Sequence, residues 1–248
     1  MNWIKREIKW IIYKLYKTYY PYYGLCNCIC KKKNTNAVVN LSVGLSKNEK
    51  FGLLGSNGSG KTTTFKCLIK ELIPDKGMIT FFSHDIEKDY ELIRQNLGYC
   101  PQENSLFDYL TVNETISYYA KMKNIKLTPI EIAYKFSLDK YLNHLCINLS
   151  GGNKRKLSFA IAIMNNPKII LLDEPSTGVD PESRRVMWKN IHSISKNNSA
   201  YNMILSTHSM EEAEVLCDRI GWMEKGNFTH LVFFFVYNVK LYMNEIPI

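Results

Sequence analysis

The chain has 248 residues, 46% of them apolar, and a formal net charge of +9. That length supports one large or two small domains with a real core, and the ordinary composition excludes wholesale disorder and fibrous architecture. The longest uninterrupted apolar run, Leu231 to Tyr237, is far shorter than the roughly 20 residues a spanning helix needs, so no transmembrane helix is expected in this chain.

The charge is uneven. Residues 1–33 hold eight Lys or Arg against Glu7 alone and so account for +7 of the total, leaving a nearly neutral body. Eight aromatics, from Trp3 to Tyr23, are interleaved with these cations. Ile4, Ile8, Ile11, Ile12 and Leu15 fall at helical spacing, which predicts a basic amphipathic helix. Such a helix suits either a membrane interface, with Trp and Tyr at headgroup level and Lys against anionic lipid, or the face of a partner domain. Seven cysteines, an odd number with no secretory signal, read as reduced and intracellular. Cys26, Cys28 and Cys30 lack the paired C-x-x-C spacing of zinc sites and read as free thiols, with metal ligation or acylation as the alternatives.

After Lys31–Lys33 a regular fold begins. Val39, Leu41, Val43 and Leu45 alternate with small or polar residues, predicting a half-exposed strand. Phe51 to Leu54 predicts a buried strand ending in a turn at Gly55, followed by a helix over 61–72 that Pro74 closes. Met78 to Phe82 and Leu97 to Cys100 are further strands. Thr111 with Glu114, and Thr128 with Glu131 around Pro129, are capping boxes that start helices. Ile169 to Leu172 and Met203 to Ser206 are apolar enough to be buried strands. Strands alternating with helices give the α/β class, a mainly parallel sheet flanked by helices and interrupted by a helical insertion at about 103–165.

Gly55-Ser56-Asn57-Gly58-Ser59-Gly60-Lys61-Thr62 matches G-x-x-x-x-G-K-[ST]. Its glycines let main-chain N–H groups curl around phosphate oxygens, and the following helix, with Thr63 in its first turn, aims its positive end at them. Lys61 would bridge the terminal phosphates and Thr62 would offer its hydroxyl to Mg²⁺. The glycine spacing and Lys61 exclude a dinucleotide-type loop. Asp173 and Glu174 end a buried strand, where α/β sheets bind ligands. Asp173 would hold Mg²⁺ and Glu174 would polarise an attacking water. Gln102, just after the Leu97–Cys100 strand, could coordinate Mg²⁺ through its amide oxygen. His208 ends another strand and is either structural or in reach of the terminal phosphate. Leu149-Ser150-Gly151-Gly152 opens a helix running to about Met164, a second anion-seeking helix N-terminus. Two such ends, far apart in one chain, suggest a nucleotide held between two subunits, against the plain reading of a helix start.

In this order the motifs resemble the ATP-binding cassette family over about residues 34–226. Gly55–Thr62 resembles the Walker A loop, Gln102 the Q-loop glutamine, Leu149–Gly152 the signature, Ile169–Asp173 the Walker B strand and Glu174 the catalytic glutamate. Ser176–Asp180 resembles the D-loop, ending in Asp180, and His208 the switch histidine. Gln102 followed by Leu106–Val112, then Leu149–Leu157 and Thr207–Glu214, are similar to the A subfamily. The resemblance implies a P-loop NTPase core with an antiparallel β element and an inserted helical subdomain. It also implies ATP and Mg²⁺ as cofactors, a second cassette as partner, and a transmembrane domain exporting lipid, with the cassette on the cytoplasmic face of a membrane. Residues 1–33 would be an arm and 227–248 a tail that resembles neither the family's final strand nor its regulatory tail. Tyr19 resembles the aromatic that stacks on adenine, although Cys26–Lys33 intervene as an insertion.

A rival reading keeps the nucleotide site and makes the chain a soluble cassette ATPase acting on nucleic acid or the ribosome through its basic arm. Relatives of that kind carry two cassettes or a long coiled coil, and this sequence has neither, so no nucleic acid is expected as partner.

Overall fold

The computed structural model describes residues 8–19, 35–196, 201–235 and 238–240. The first half contains β1 (Ile8–Tyr19), β2 (Thr35–Ser46), β3 (Lys50–Gly55), α1 (Lys61–Leu68), β4 (Lys76–Phe81), β5 (His84–Asp85), α2 (Tyr90–Gln95), β6 (Leu97–Cys100) and α3 (Val112–Met122). The second half contains α4 (Pro129–Lys135), α5 (Gly151–Ile163), β7 (Ile169–Asp173), α6 (Pro181–Lys196), β8 (Asn202–Thr207), α7 (Met210–Leu216), β9 (Arg219–Glu224), β10 (Asn227–Phe235) and β11 (Asn238–Lys240).

The larger sheet has the order β11-β10-β9-β3-β8-β7-β6, and its strands from β9 to β6 run parallel. Successive residues of β7 feed opposite cores. Ile170 and Leu172 pack with Ile116, Leu157 and Phe159 on the helical side, while Ile169 and Leu171 pack with Leu41, Phe51 and Phe65 on the other. Burial on both faces is why these strands read as unbroken apolar runs rather than alternating ones. Each such Leu, Ile or Phe contributes about 1.5–3 kcal/mol of burial. The smaller sheet, order β2-β1-β4-β5, is antiparallel where its strands pair. The α/β class and the antiparallel element expected from the sequence are both present.

Local signals hold closely along the body. Both capping boxes form: the Thr111 and Thr128 hydroxyls accept from the main-chain N–H of Glu114 and Glu131, whose carboxylates bond back. In β2 the alternation starts one residue early. Val38 rather than Val39 is buried, because Asn40 adopts a positive φ of 51° and shifts the phase ahead of Leu41, Val43 and Leu45. α1 ends at Leu68, short of the expected Leu72, with Lys70 at φ 59°.

The expected amphipathic helix near the start is not formed. Ile8–Tyr19 is instead β1, paired antiparallel with β2 and β4. The register shifts between Ile12 and Leu15, and Lys14 sits at φ 47°. This bulge puts Ile12 and Leu15, three residues apart, on the same buried side, which imitates helical spacing. Ile, Trp and Tyr also prefer strands. Residues 1–7 and 20–34, including the Cys26-Cys28-Cys30 run, lie outside the described residues.

Beyond Glu224 the chain turns through Lys225 and Gly226, both at positive φ (47° and 85°), the requirement of a tight type I′ hairpin. Asn227 pairs with Glu224 and β10 continues antiparallel to β9, so residues that read as an atypical tail extend the sheet. Phe228 meets Phe51 edge-on, ring centroids 6.0 Å apart.

The approach of α5 to the sheet depends on Gly98 in β6. A Cβ there would collide with the Ala162 carbonyl oxygen and stand 2.8 Å from Pro167 Cγ. Gly98→Ala should therefore lower unfolding stability by about 1–3 kcal/mol, the cost of overpacking, read from the denaturant midpoint at unchanged m-value.

Candidate functional site

Five parallel strands present their carboxyl ends along one edge, and the chemistry collects there. β3 runs into the loop Gly55–Thr62, and α1 begins at Lys61. Gly60 has φ 109°, and a Cβ on it would strike the Ala37 carbonyl oxygen. Only glycine combines that left-handed conformation with that close approach. The Lys61 ammonium is 4% exposed and donates to the carbonyls of Gly55 (2.9 Å) and Ser56 (3.0 Å), which folds its side chain back over the loop.

At the end of β7, Asp173 and Glu174 are both buried. Glu174 takes φ 45°, a strained turn that aims its carboxylate toward the loop instead of along the strand. Its Oε1 lies 3.4 Å from Lys61 Nζ. Its Oε2 accepts from Gln102 Nε2 (3.3 Å) and from the Thr177 hydroxyl (3.1 Å), and His208 Nδ1 stands 3.6 Å away. Three residues proposed separately from the sequence, Lys61, Gln102 and His208, thus converge on one carboxylate, with Thr177 of the following turn as a fourth partner. His208 is more than half exposed, as suits a side chain at a mouth.

Asp173 is fully buried. Burial pushes its carboxyl above the usual range, opposed by the nearby Ser206 and Thr62 hydroxyls. Its Oδ1 accepts from Ser206 Oγ, and its Oδ2 has no protein partner. A buried carboxylate oxygen with no donor, beside the Thr62 hydroxyl, is a donor set suited to a hard divalent cation such as Mg²⁺. Ser206 was missed in the sequence because a serine inside an apolar strand carries no motif. It also accepts the Glu174 main-chain N–H (2.9 Å) through the same hydroxyl and so ties the Asp173 carboxylate and the Glu174 backbone to β8.

Asn57, Gly58, Gly60, Lys61, Thr62, Thr63, Gln102 and Glu174 line a cavity of about 430 Å³ that opens toward Tyr19, Thr35 and Asn36. Tyr19 on β1 reaches it, with its hydroxyl 3.5 Å from Thr63 Oγ1. Ser150, Gly151 and Gly152 do not line this cavity. The Ser150 hydroxyl caps α5 by accepting the Asn153 N–H, and the packing neighbour of Gly152 is Ser183 on α6. Asp180 caps that same helix by accepting the Ser183 N–H (2.9 Å). Signature and D-loop therefore form a second cluster, joined to the first through Thr177.

Residues 38–177 match the family model described as ABC transporter. The chain belongs to the ABC transporter family. It carries that family's cassette motifs in the order the sequence implied. Over 197 residues it is 43% identical to the mouse retinal-specific phospholipid-transporting ATPase ABCA4, covering 77% of this chain and 8% of that one. It is 42% identical to the human phospholipid-transporting ATPase ABCA3, covering 77% of this chain and 11% of that one. The chain thus spans about a tenth of the length of these curated relatives. Among solved structures, a cassette described as a dimer in a post-hydrolysis state with ADP and Pi superposes with TM-score 0.77 at 22% identity. That superposition covers 90% of this chain and 97% of that one and shows the shared fold. Among the described residues, no helix of this ABC cassette is long and apolar enough to cross a membrane.

Ser206→Ala would remove the shared hydroxyl from Asp173 and Glu174. It should lower kcat about tenfold and stability by about 1–2 kcal/mol, while fluorescent-nucleotide binding in EDTA stays as in the unsubstituted chain.

Proposed function

We propose that this cassette powers a membrane transporter by clasping ATP·Mg²⁺ between itself and a second cassette, identical or different. The observation that carries the reading is the convergence of Lys61, Gln102, Thr177 and His208 on the Glu174 carboxylate, beside the phosphate loop. The loop N–H groups of Gly55–Thr62 and the start of α1 would bind the phosphates, and Lys61 would turn from Glu174 to the terminal oxygens. Mg²⁺ would be held by Asp173, Thr62 and Gln102 and would neutralise charge on the leaving phosphate oxygens. Glu174, oriented by Gln102 and His208, would align the water for in-line attack and draw off its proton. Tyr19 is the aromatic best placed to stack on the base.

The signature, Ser150–Gly152, supports the two-subunit part of the reading. It is an anion-seeking helix end with no share in its own chain's cavity, so it would serve the partner's nucleotide, next to Asp180. The dimeric state described for the superposed cassette supports this arrangement. ATP binding would close the dimer, because donors from both sides meet one γ-phosphate, and hydrolysis would reopen it. The ATPase unit would span 34–226, with the helical segment at about 103–165 transmitting the cycle to a transmembrane partner. Part of the 1–33 arm contributes β1, and β10 and β11 extend the larger sheet.

We assign phospholipid or a related lipid as the cargo of the assembled transporter, because the relatives named above are phospholipid-transporting ATPases. The cassette would sit at the cytoplasmic face of that membrane, with the basic residues of the arm against anionic lipid. The same comparisons favour transport over the nucleic-acid reading.

Glu174→Gln should retain ATP binding within about threefold, cut turnover at least 100-fold, and accumulate an ATP-dependent dimer on size exclusion. Full hydrolysis by this variant would remove Glu174 from its role. Lys61→Ala should lose ATP binding at least tenfold in the same assay.

A further inference from the structure

Arg155 lies in the stretch that follows the signature and was given no role in the site above, yet it is among the largest fully buried side chains, at 2% exposure. It lies on α5, five residues after Ser150. Its guanidinium is ringed by main-chain carbonyls. Nε donates to Pro175 O (2.6 Å), Nη2 to Asp173 O (2.8 Å) and Glu174 O (3.0 Å), and Nη1 to Gln102 O (3.2 Å) and Pro101 O.

These five acceptors belong to two segments only. Residues 101–102 leave β6, and residues 173–175 leave β7, its parallel neighbour. Beyond them, the Gln102 and Glu174 side chains meet at 3.3 Å. A buried cation needs every donor engaged, so the two segments cannot part without stranding charge in the interior. The planar fork of arginine offers five N–H groups in fixed directions, which a lysine ammonium cannot reproduce.

We propose that Arg155 is a positioning residue that locks the Gln102 segment, the Glu174 segment and α5 into one unit. The Glu174 carboxylate in one nucleotide site is thereby tied to the helix whose N-terminus, Ser150, serves the other. This last clause rests on the two-subunit reading above, whereas the lock itself is a property of the single chain. The charge is held by carbonyl dipoles, so the tie is geometric. Its loss should misplace Glu174 without disturbing the phosphate loop.

Arg155→Met and Arg155→Lys in the full chain test this, using amide hydrogen exchange without nucleotide and steady-state ATPase kinetics. In Arg155→Met, peptides covering 101–106 and 174–180 should both exchange at least tenfold faster, with 61–68 unchanged. Fluorescent-ATP affinity and KM should stay within threefold while kcat falls at least 30-fold. Arg155→Lys should leave kcat below a tenth of the unsubstituted value and loosen both segments. It carries the test alone if the methionine variant does not fold. Faster exchange in one segment only, or in neither, overturns the proposal. So does recovery of kcat and protection by lysine, or a loss of affinity as large as the loss of kcat. If the unsubstituted chain fails to bind ATP, the functional reading falls, and the exchange data still decide the lock.

Discussion

Two adjacent carboxylates, Asp173 and Glu174, are held in the interior at the end of a single strand. Placing like charges side by side away from water is costly unless each is met by donors or cations. The surrounding structure supplies them from every direction: Lys61 from the phosphate loop, Gln102 from the neighbouring strand end, Ser206 from β8 and Thr177 from the turn beyond. One Asp173 oxygen remains unmatched, and under the proposed function a divalent cation would meet it. Stability and chemistry share one requirement at this edge, because the groups that make the carboxylates tolerable are those that a triphosphate and its metal would engage.

The same economy explains why the parallel sheet matters more than any single motif. β6, β7, β3 and β8 run in one direction, so their following loops open at one edge. A parallel order needs crossovers, and these carry α1 and α5 to the faces of the sheet. α1 delivers its N-terminus to its own chain's phosphate loop. α5 delivers its N-terminus elsewhere, beside Asp180 and Ser183, and that divergence is what motivates the proposal of a site completed by a second cassette. Arg155 reaches from α5 back under both carboxylates and bonds the main chain of the segments that carry Gln102 and Glu174.

Membership in the ABC transporter family follows from a matched segment covering more than half of the chain, and the fold agrees over nine-tenths of it. The chain spans about a tenth of the length of these curated relatives. β1 and β10 lie outside the 34–226 stretch whose motifs resemble the family, yet both join the sheets.

Composition, periodicity and motif spacing by themselves determined the α/β class, the buried strands, both capped helices and the identity of the phosphate loop. Each of these depends on residues close in sequence, whose conformational demands are local: glycine at a positive φ, threonine at a helix start, unbroken apolar runs on doubly buried strands. Tertiary structure alone decided that Ile8–Tyr19 is a strand, since a bulge at Lys14 gives a strand the apolar spacing of a helix. It alone revealed Ser206 and Arg155, whose partners lie about 20 to 54 residues away in sequence and are in part backbone carbonyls that no side-chain pattern records. It also set the Glu174 carboxylate against Lys61, Gln102 and His208, because distances between segments of a sheet are fixed by strand order and packing, which the order of residues along the chain does not contain.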